Sequence, residues 1–318
     1  MKILIEHFIT SLKSSLGIRR QNKGNIIFFF KIWIIRFFFA FPKIRNFNKA
    51  KIDSRIIEKK LFQKEISVKN VLKNIIKKGY FSELILNRKN LKYIKTNIIY
   101  KNTIFALKGY KKNSKQFSKS LKPNDNLNSI IVKSKKFKIS HIGLEINLNK
   151  TEIIKKLACS NFFIEIAKNY LNTNNITISG QCYISNPMKI SNQEKKDNAQ
   201  FYHHDLEFKK FLKVFIYLND VDKHSGPHSF VEKSHKFKKY KHIISKRFTT
   251  NQIQKSYKLY NIKKFLGPEG KVILEDTFGL HKGDVPTNKT RAMLILIYGL
   301  GEGTKDYNFF IRPQNKNI

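Results

Sequence analysis

Five short runs in the second half of the chain constrain its fold most: "NITISGQCYIS", "FLKVFIYLND", "HSFVEKS", "GKVILEDTF" and "RAMLILIYGL". Each is rich in β-branched or aromatic residues and is bounded by Gly, Pro, Asn or Asp, as strands separated by turns are. The segments before them read differently. Ser67 stands where a helix cap belongs, ahead of "VKNVLKNIIKKG", and Gly79 stands where that helix would stop. The wider stretch 52–78 has a polar–apolar helical texture, and residues 150–171 carry Ile153, Leu157, Phe162, Ile166 and Leu171 at helical spacing. Residues 114–128 are rich in Ser, Asn and Lys and read as a loop. Helices first and short strands afterwards predict an α+β chain, an antiparallel barrel or jelly roll braced by helices.

A chain of 318 residues, 41% hydrophobic with 27 Phe, can bury a full core and is not disordered. Its charge is extreme: 63 Lys+Arg against 22 Asp+Glu, a formal net of +41. Such a field attracts nucleic acid or anionic lipid. The lysines, however, run from end to end alongside inflated Ile and Asn, with no aromatic-interleaved basic motif and no zinc-finger spacing. No specific nucleic-acid partner is therefore expected. Cys159 and Cys182 match no metal or redox spacing, which fits a reducing, cytoplasmic setting.

The most apolar stretch, Ile26 to Phe41, is broken by Lys31 and Arg36. It is short of the roughly 20 apolar residues that a spanning helix needs, and it lacks the cleavage site of a secretory signal. Two readings remain, with a single tilted span as a third. It is an interfacial helix with aromatic anchors, bracketed by Arg19, Arg20, Lys23, Lys43 and Arg45, peripheral to the inner membrane face; or it is a greasy helix packed on the main domain.

Chemistry concentrates in "QFYHHDLEF". Alternate side chains on a strand share a face, so His203 and Asp205 point together and His204 points away. A third ligand must come from elsewhere, and His281, after "GKVILEDTFGL", is the best candidate. Two His and one carboxylate form the open-sided triad of non-haem Fe(II) oxygenases. Arg291, opening the strand "RAMLILIYGL", offers a planar fork for gripping a carboxylate.

These pieces, in their order, resemble the phytanoyl-CoA dioxygenase family of Fe(II)/2-oxoglutarate-dependent oxygenases. The resemblance covers roughly residues 150–298: "AQFYHHD", "FLKVFIYLNDVDKHSGPHSFVEKSH", "GPEGKVILEDTFGLHKG" and "RAMLILIYG", with a weaker echo at "KKGYFSELI". It implies a double-stranded β-helix (jelly-roll, cupin-like) core at about residues 130–310, inside a dioxygenase domain of residues 51–318 with a basic, aromatic N-terminal extension over residues 1–50. It implies Fe(II) on His203, Asp205 and His281, and 2-oxoglutarate held at its far carboxylate by Arg291. With O₂, such an enzyme hydroxylates an unactivated C–H and releases succinate and CO₂. The retained carboxylate of Asp205 argues against the halogenase variant. Two positions depart from the family pattern: Tyr202 precedes the first ligand where Trp is common, and Lys233 stands where Gly is usual.

His224, His228 and His235 are read as structural, Gln200 as a core or pocket residue, and Lys213 and Tyr217 as wall residues if their strand face is inward. The expected substrate is a small or lipid-linked molecule. The competing reading is a basic membrane- or nucleic-acid-binding protein with a vestigial oxygenase fold.

Overall fold

The computed structural model describes all residues except Met1, 22–25, 46–48, 53, 98–102, 107–110, 123–124, 245–246 and 302–318. Lys23 of the basic bracket and the last stretch of the expected core, 302–310, thus lie outside the described residues. The chain opens with a hairpin of α1 (Lys2–Gln21) and α2 (Ile26–Phe38), followed by the single turn α3 (Pro42–Arg45). A small ribbon, β1 (Ile57–Glu58) with β2 (Ile66–Ser67), precedes α4 (Val68–Lys78) and β3 (Tyr80–Ile85). Then come α5 (Arg88–Asn97), β4 (Thr103–Ala106), α6 (Lys111–Ser120), α7 (Leu127–Lys136), β5 (His141–Ile146), α8 (Glu152–Ala158) and α9 (Asn161–Leu171). The remainder is strand-rich: β6 (Ile176–Ser185), β7 (Phe211–Tyr217), β8 (His228–Val231), β9 (Ile262–Phe265), β10 (Lys271–Glu275), β11 (His281–Gly283) and β12 (Arg291–Leu300). Two short helices with capping boxes, α10 (Asn192–Asp197) and α11 (Thr250–Gln254), sit between these strands.

Ten of the strands make two antiparallel sheets, a large one ordered β3-β10-β7-β12-β6-β5-β4 and a small one ordered β11-β8-β9. Residue alternation sorts each strand between two cores. On β12, Leu294, Leu296 and Tyr298 join the core that α4 and α9 cover. Met293, Ile295 and Ile297 face the other way and meet Phe215, Phe230 and Phe265, which fills the space between the two sheets. This is a jelly roll, with helices bracing the outer face of its larger sheet. All five of the runs singled out in the sequence are strands.

The expected start and stop of α4 are both present. The Ser67 hydroxyl accepts from the backbone N–H of Asn70, and Gly79 takes the left-handed conformation (φ 97) while its N–H donates to the Ile75 carbonyl. The helix does not reach back to residue 52. A cap residue must be extended, and the β-branched Ile57 and Ile66 ahead of it pair as a ribbon instead. The single helix expected over 150–171 is two, because Ser160 is extended (ψ 145) and begins α9 afresh. The loop expected over 114–128 is also corrected, since α6 runs to Ser120 and α7 starts at Leu127. Its sequence, KKNSKQFSKS, carries one large apolar residue, Phe117, so no periodicity announces it. Complete burial of Phe117 in the outer core decides the matter.

Lys233, the position where Gly is usual in the resembled family, has φ 65, and its N–H donates to the Lys78 carbonyl. A Cβ is unfavourable in that left-handed region. Lys233 is exposed, so little packing would be lost on trimming it. Lys233→Gly is therefore expected to stabilise the fold by about 1 kcal/mol, to be read from the denaturant midpoint.

The N-terminal hairpin is joined to this body at its far end. Ala40 is buried in the inter-sheet core. Arg45 enters it fully, donating to both carboxylate oxygens of Asp276 at 2.7 and 2.8 Å. The Tyr170 hydroxyl donates to the same carboxylate, and the guanidinium stacks over Phe278 at 4.3 Å. Of the two readings of residues 26–41, packing on the domain thus describes the end of the segment, while much of α2 remains exposed.

Candidate active site

At one end of the inter-sheet space, residues 201–208 run beside 276–283. His203 and His281 exchange backbone hydrogen bonds, each N–H donating to the other's carbonyl at 2.9 Å, and the Asp205 N–H donates to Thr277. This isolated bridge, rather than a long strand, brings the two histidines level, with ring centroids 4.3 Å apart. The Nε2 of His203 lies 3.7 Å from one Asp205 carboxylate oxygen and the Nε2 of His281 lies 3.5 Å from the other. One ligand atom from each of the three residues fits within 4.8 Å of the others, the one such grouping among the described residues.

The imidazoles are oriented by their other nitrogens. Nδ1 of His203 is 2.9 Å from the Phe201 carbonyl and Nδ1 of His281 is 3.0 Å from that of Gly279. A carbonyl can only accept, so each Nδ1 carries the proton and each Nε2 presents a lone pair toward Asp205. Burial lowers the pKa of both rings and keeps them neutral. Burial alone would raise that of Asp205, but the Lys213 ammonium, which also donates to it, outweighs burial and holds the carboxyl well below its usual range. Lys213 sits on β7, 2.9 Å from Asp205 and 3.1 Å from Glu207, and these partners raise its own pKa against the opposing effect of burial. The donor set is therefore two neutral nitrogens and one anionic oxygen.

His204 is buried too, but it lies edge-on to Phe278 and belongs to no donor group. The other histidines also stand apart from the donor set. His224 reaches Thr287, His235 reaches the Ile76 carbonyl, and His228 meets both oxygens of Glu275 at 3.0 and 3.1 Å. Gln200 is buried with its amide oxygen unpaired. Tyr217 faces inward, its hydroxyl donating to the Phe265 carbonyl.

Arg291 is 3% exposed and has no carboxylate within ion-pair distance among the described residues. One guanidinium nitrogen donates to the Gly226 carbonyl and another lies 3.4 Å from the Ser185 hydroxyl. Gly283 makes room for it, since a Cβ there would stand 2.5 Å from Nη2. The guanidinium lies on the same face of β12 as Met293, inside the jelly roll. Asp284 acts on it only from beyond contact distance, and a buried cation with no carboxylate in contact is costly unless a ligand supplies one.

Two acidic neighbours escaped the sequence reading. Glu207 shares Lys213 with Asp205. Glu275, fully buried beside His228, has its pKa pushed up to about 8, chiefly by burial. The alternation of "KVILE" already put Glu275 on the inward face with Ile273. That was the available signal.

No family model matches the chain, and no curated protein does. Solved structures give distant likenesses. One is the non-heme alpha ketoglutarate dependent epimerase SnoN from nogalamycin biosynthesis, 13% identical over 73% of this chain and 80% of that one, with a TM-score of 0.46. Another is EctD from S. alaskensis with bound Fe, 14% identical over 84% and 92%, TM-score 0.47. A third is HygX from Streptomyces hygroscopicus with nickel and 2-oxoglutarate bound, 10% identical over 72% and 86%, TM-score 0.46. At that distance the geometry of the site has to carry any functional reading.

Proposed function

We propose that this chain is a non-haem Fe(II)- and 2-oxoglutarate-dependent dioxygenase, hydroxylating an unactivated C–H of a small or lipid-linked substrate. The observation that carries the proposal is the convergence of His203, Asp205 and His281, with both imidazole Nε2 lone pairs turned toward one carboxylate. Each imidazole Nε2 stands 3.5 or 3.7 Å from one of the two Asp205 oxygens, and one ligand atom from each residue lies within 4.8 Å of the others, close to the roughly 4 Å that donors about 2 Å from a shared ion can span. Two nitrogens and one carboxylate oxygen on one side suit Fe(II) and leave further positions for a chelating cosubstrate and O₂.

The bound iron would supply oxidation of the substrate by O₂, with 2-oxoglutarate as co-reductant, in the balance 2-oxoglutarate + O₂ + R–H → succinate + CO₂ + R–OH. The chain's own residues bind and orient. His203 and His281 are fixed by their Nδ1 bonds to Phe201 and Gly279. Lys213 anchors Asp205 and keeps it ionised. Arg291 would pair its fork with the far carboxylate of 2-oxoglutarate, which would give it the direct carboxylate contact it lacks among the described residues. The apolar walls Phe215, Met293 and Ile295 exclude water from the space between.

Anaerobic addition of Fe(II) and then 2-oxoglutarate is expected to give the weak visible charge-transfer band of the chelate, and succinate on admitting O₂. A missing band, or one that survives both His281→Ala and Asp205→Ala, would sink the reading. Arg291→Gln should weaken 2-oxoglutarate binding by about 10- to 100-fold, the worth of a charge-assisted hydrogen bond, with Fe(II) affinity nearly unchanged. Titrating the band with 2-oxoglutarate checks this.

A further inference from the structure

The α1–α2 hairpin carries an apolar face that nothing among the described residues covers. On α1, Leu4, Ile5, Phe8 and Ile9 are exposed by 42, 51, 43 and 43%. Their spacing puts them on one stripe of the helix, while His7, Ser11 and Ser15 are buried. On α2, Ile26, Ile27, Phe30, Ile34 and Phe38 form a second stripe, with Ile27 exposed by 74%, and Ile32 and Ile35 are buried. The stripes are continuous. The Phe8 ring stands edge-on to Trp33 at 5.7 Å and to Phe37 at 5.8 Å, and Phe38 touches the same two rings. Patches of this size on a soluble surface mark an interaction site.

Charge selects the partner. Residues 1–50 contain ten Lys or Arg and a single carboxylate, Glu6. Where the hairpin ends, Phe39 and Ile44 line a cavity of about 450 Å³ with Lys43, Lys209 and Lys210. A neighbouring cavity of about 550 Å³ shares Lys43 and Lys210 and adds Lys49 and Lys236. No carboxylate lines either one. An apolar face beside a purely cationic collar matches the acyl and phosphate layers of an anionic bilayer. A second copy of the chain would set two such collars against each other. The apolar helix α2 is too short to span: its 13 residues make about 20 Å at 1.5 Å per residue, against a hydrocarbon core of about 30 Å. No helix among the described residues is long and apolar enough to cross.

We infer that the α1–α2 hairpin is an interfacial anchor lying along the surface of an anionic phospholipid bilayer, with Lys43, Lys49, Lys209 and Lys236 taking lipid phosphates. The inference does not depend on the oxygenase reading. It does orient the candidate site. Arg45, just past the anchor, grips Asp276 in the segment leading to His281, so a buried ion pair links the end of the hairpin to the segment that carries the candidate site.

The test is co-sedimentation of the full chain with vesicles of phosphatidylcholine alone or with a quarter phosphatidylglycerol. Wild type is expected to partition at least about tenfold more strongly onto the anionic vesicles, and high salt should reduce this. Ile27→Gln/Phe30→Gln removes apolar surface without changing charge and should cut partition about tenfold or more. Ile5→Gln/Ile9→Gln probes the other stripe and serves if the first variant does not fold. Lys43→Glu/Lys49→Glu should weaken binding to the anionic vesicles only. Wild type remaining in the supernatant would overturn the inference, as would apolar-face variants that bind unchanged. So would light scattering that shows a wild-type dimer made monomeric by Ile27→Gln/Phe30→Gln.

Discussion

Asp205→Ala is expected to abolish Fe(II) binding and succinate formation together while leaving the protein folded. Asp205 supplies the one negative charge in the donor set, and it is the residue that both imidazole nitrogens face. Without it, the cation Lys213 and two neutral rings are left around the position an Fe(II) ion would take. Loss of binding should exceed about 100-fold, more than is typical for a residue that only orients a ligand. His281→Ala should do the same through loss of a neutral donor. Lys213→Met makes the informative contrast. It leaves all three donors in place and should weaken the metal about 10- to 100-fold, as removal of a supporting partner does. Anaerobic titration with Fe(II), followed by the 2-oxoglutarate chelate band, separates the three outcomes. Equal metal affinity in wild type and Asp205→Ala would remove the assignment.

Asp276→Asn is expected to be the most damaging single change for stability, at about 3–5 kcal/mol, because it leaves the Arg45 guanidinium buried without a counter-charge. Thermal unfolding should fall by about 10 °C, at roughly 2–4 °C per kcal/mol. The double variant Arg45→Met/Asp276→Leu should recover much of the loss, since replacing both members of a buried pair by apolar groups is far cheaper than orphaning one. Acid should act on the same pair. Burial works to raise the Asp276 pKa, but Arg45 and its other hydrogen-bond donors outweigh it, and the folded value lies below the ordinary one. Its contribution is therefore complete above about pH 4, the unfolded value. It is lost as pH falls through the lower folded value. Denaturant midpoints of wild type and Arg45→Met/Asp276→Leu should converge on acidification below that point. Parallel curves would show that the pair does not govern acid stability.

Much of the fold could be read from the chain because the signals were local. Five strands of the jelly roll, β6, β7, β8, β10 and β12, are β-branched or aromatic runs whose ends are marked by turn residues, whereas β9 (IKKF) and β11 (HKG) carry no such run and are strands only through their pairing with β8. Ser67 and Gly79 bounded α4 through backbone requirements that act within a few residues. The errors fell where long-range burial overrode local texture. In α6 a single residue, Phe117, anchors a polar helix in the core, and no periodicity can signal one buried side chain. At Ser160 an extended residue divides a stretch whose apolar spacing reads as one helix.

The sequence by itself determined which chemistry the chain can host. His203-x-Asp205, His281 and Arg291 are the residue types of the proposed site, and the two-residue period of extended backbone already separated His204 from its neighbours. The tertiary structure alone decided three other things. It brought His281 level with His203 through their reciprocal backbone bonds, set Lys213 against Asp205, and inserted Arg45 from the N-terminal hairpin onto Asp276. Each of these joins positions distant in sequence or lying on separate elements, and their encounter is fixed by how the sheets and helices pack. Local propensity has no term for that. The hairpin's exposed face is the counterpart: the sequence announced an apolar run, and only the packed structure showed which of its side chains were left for a partner.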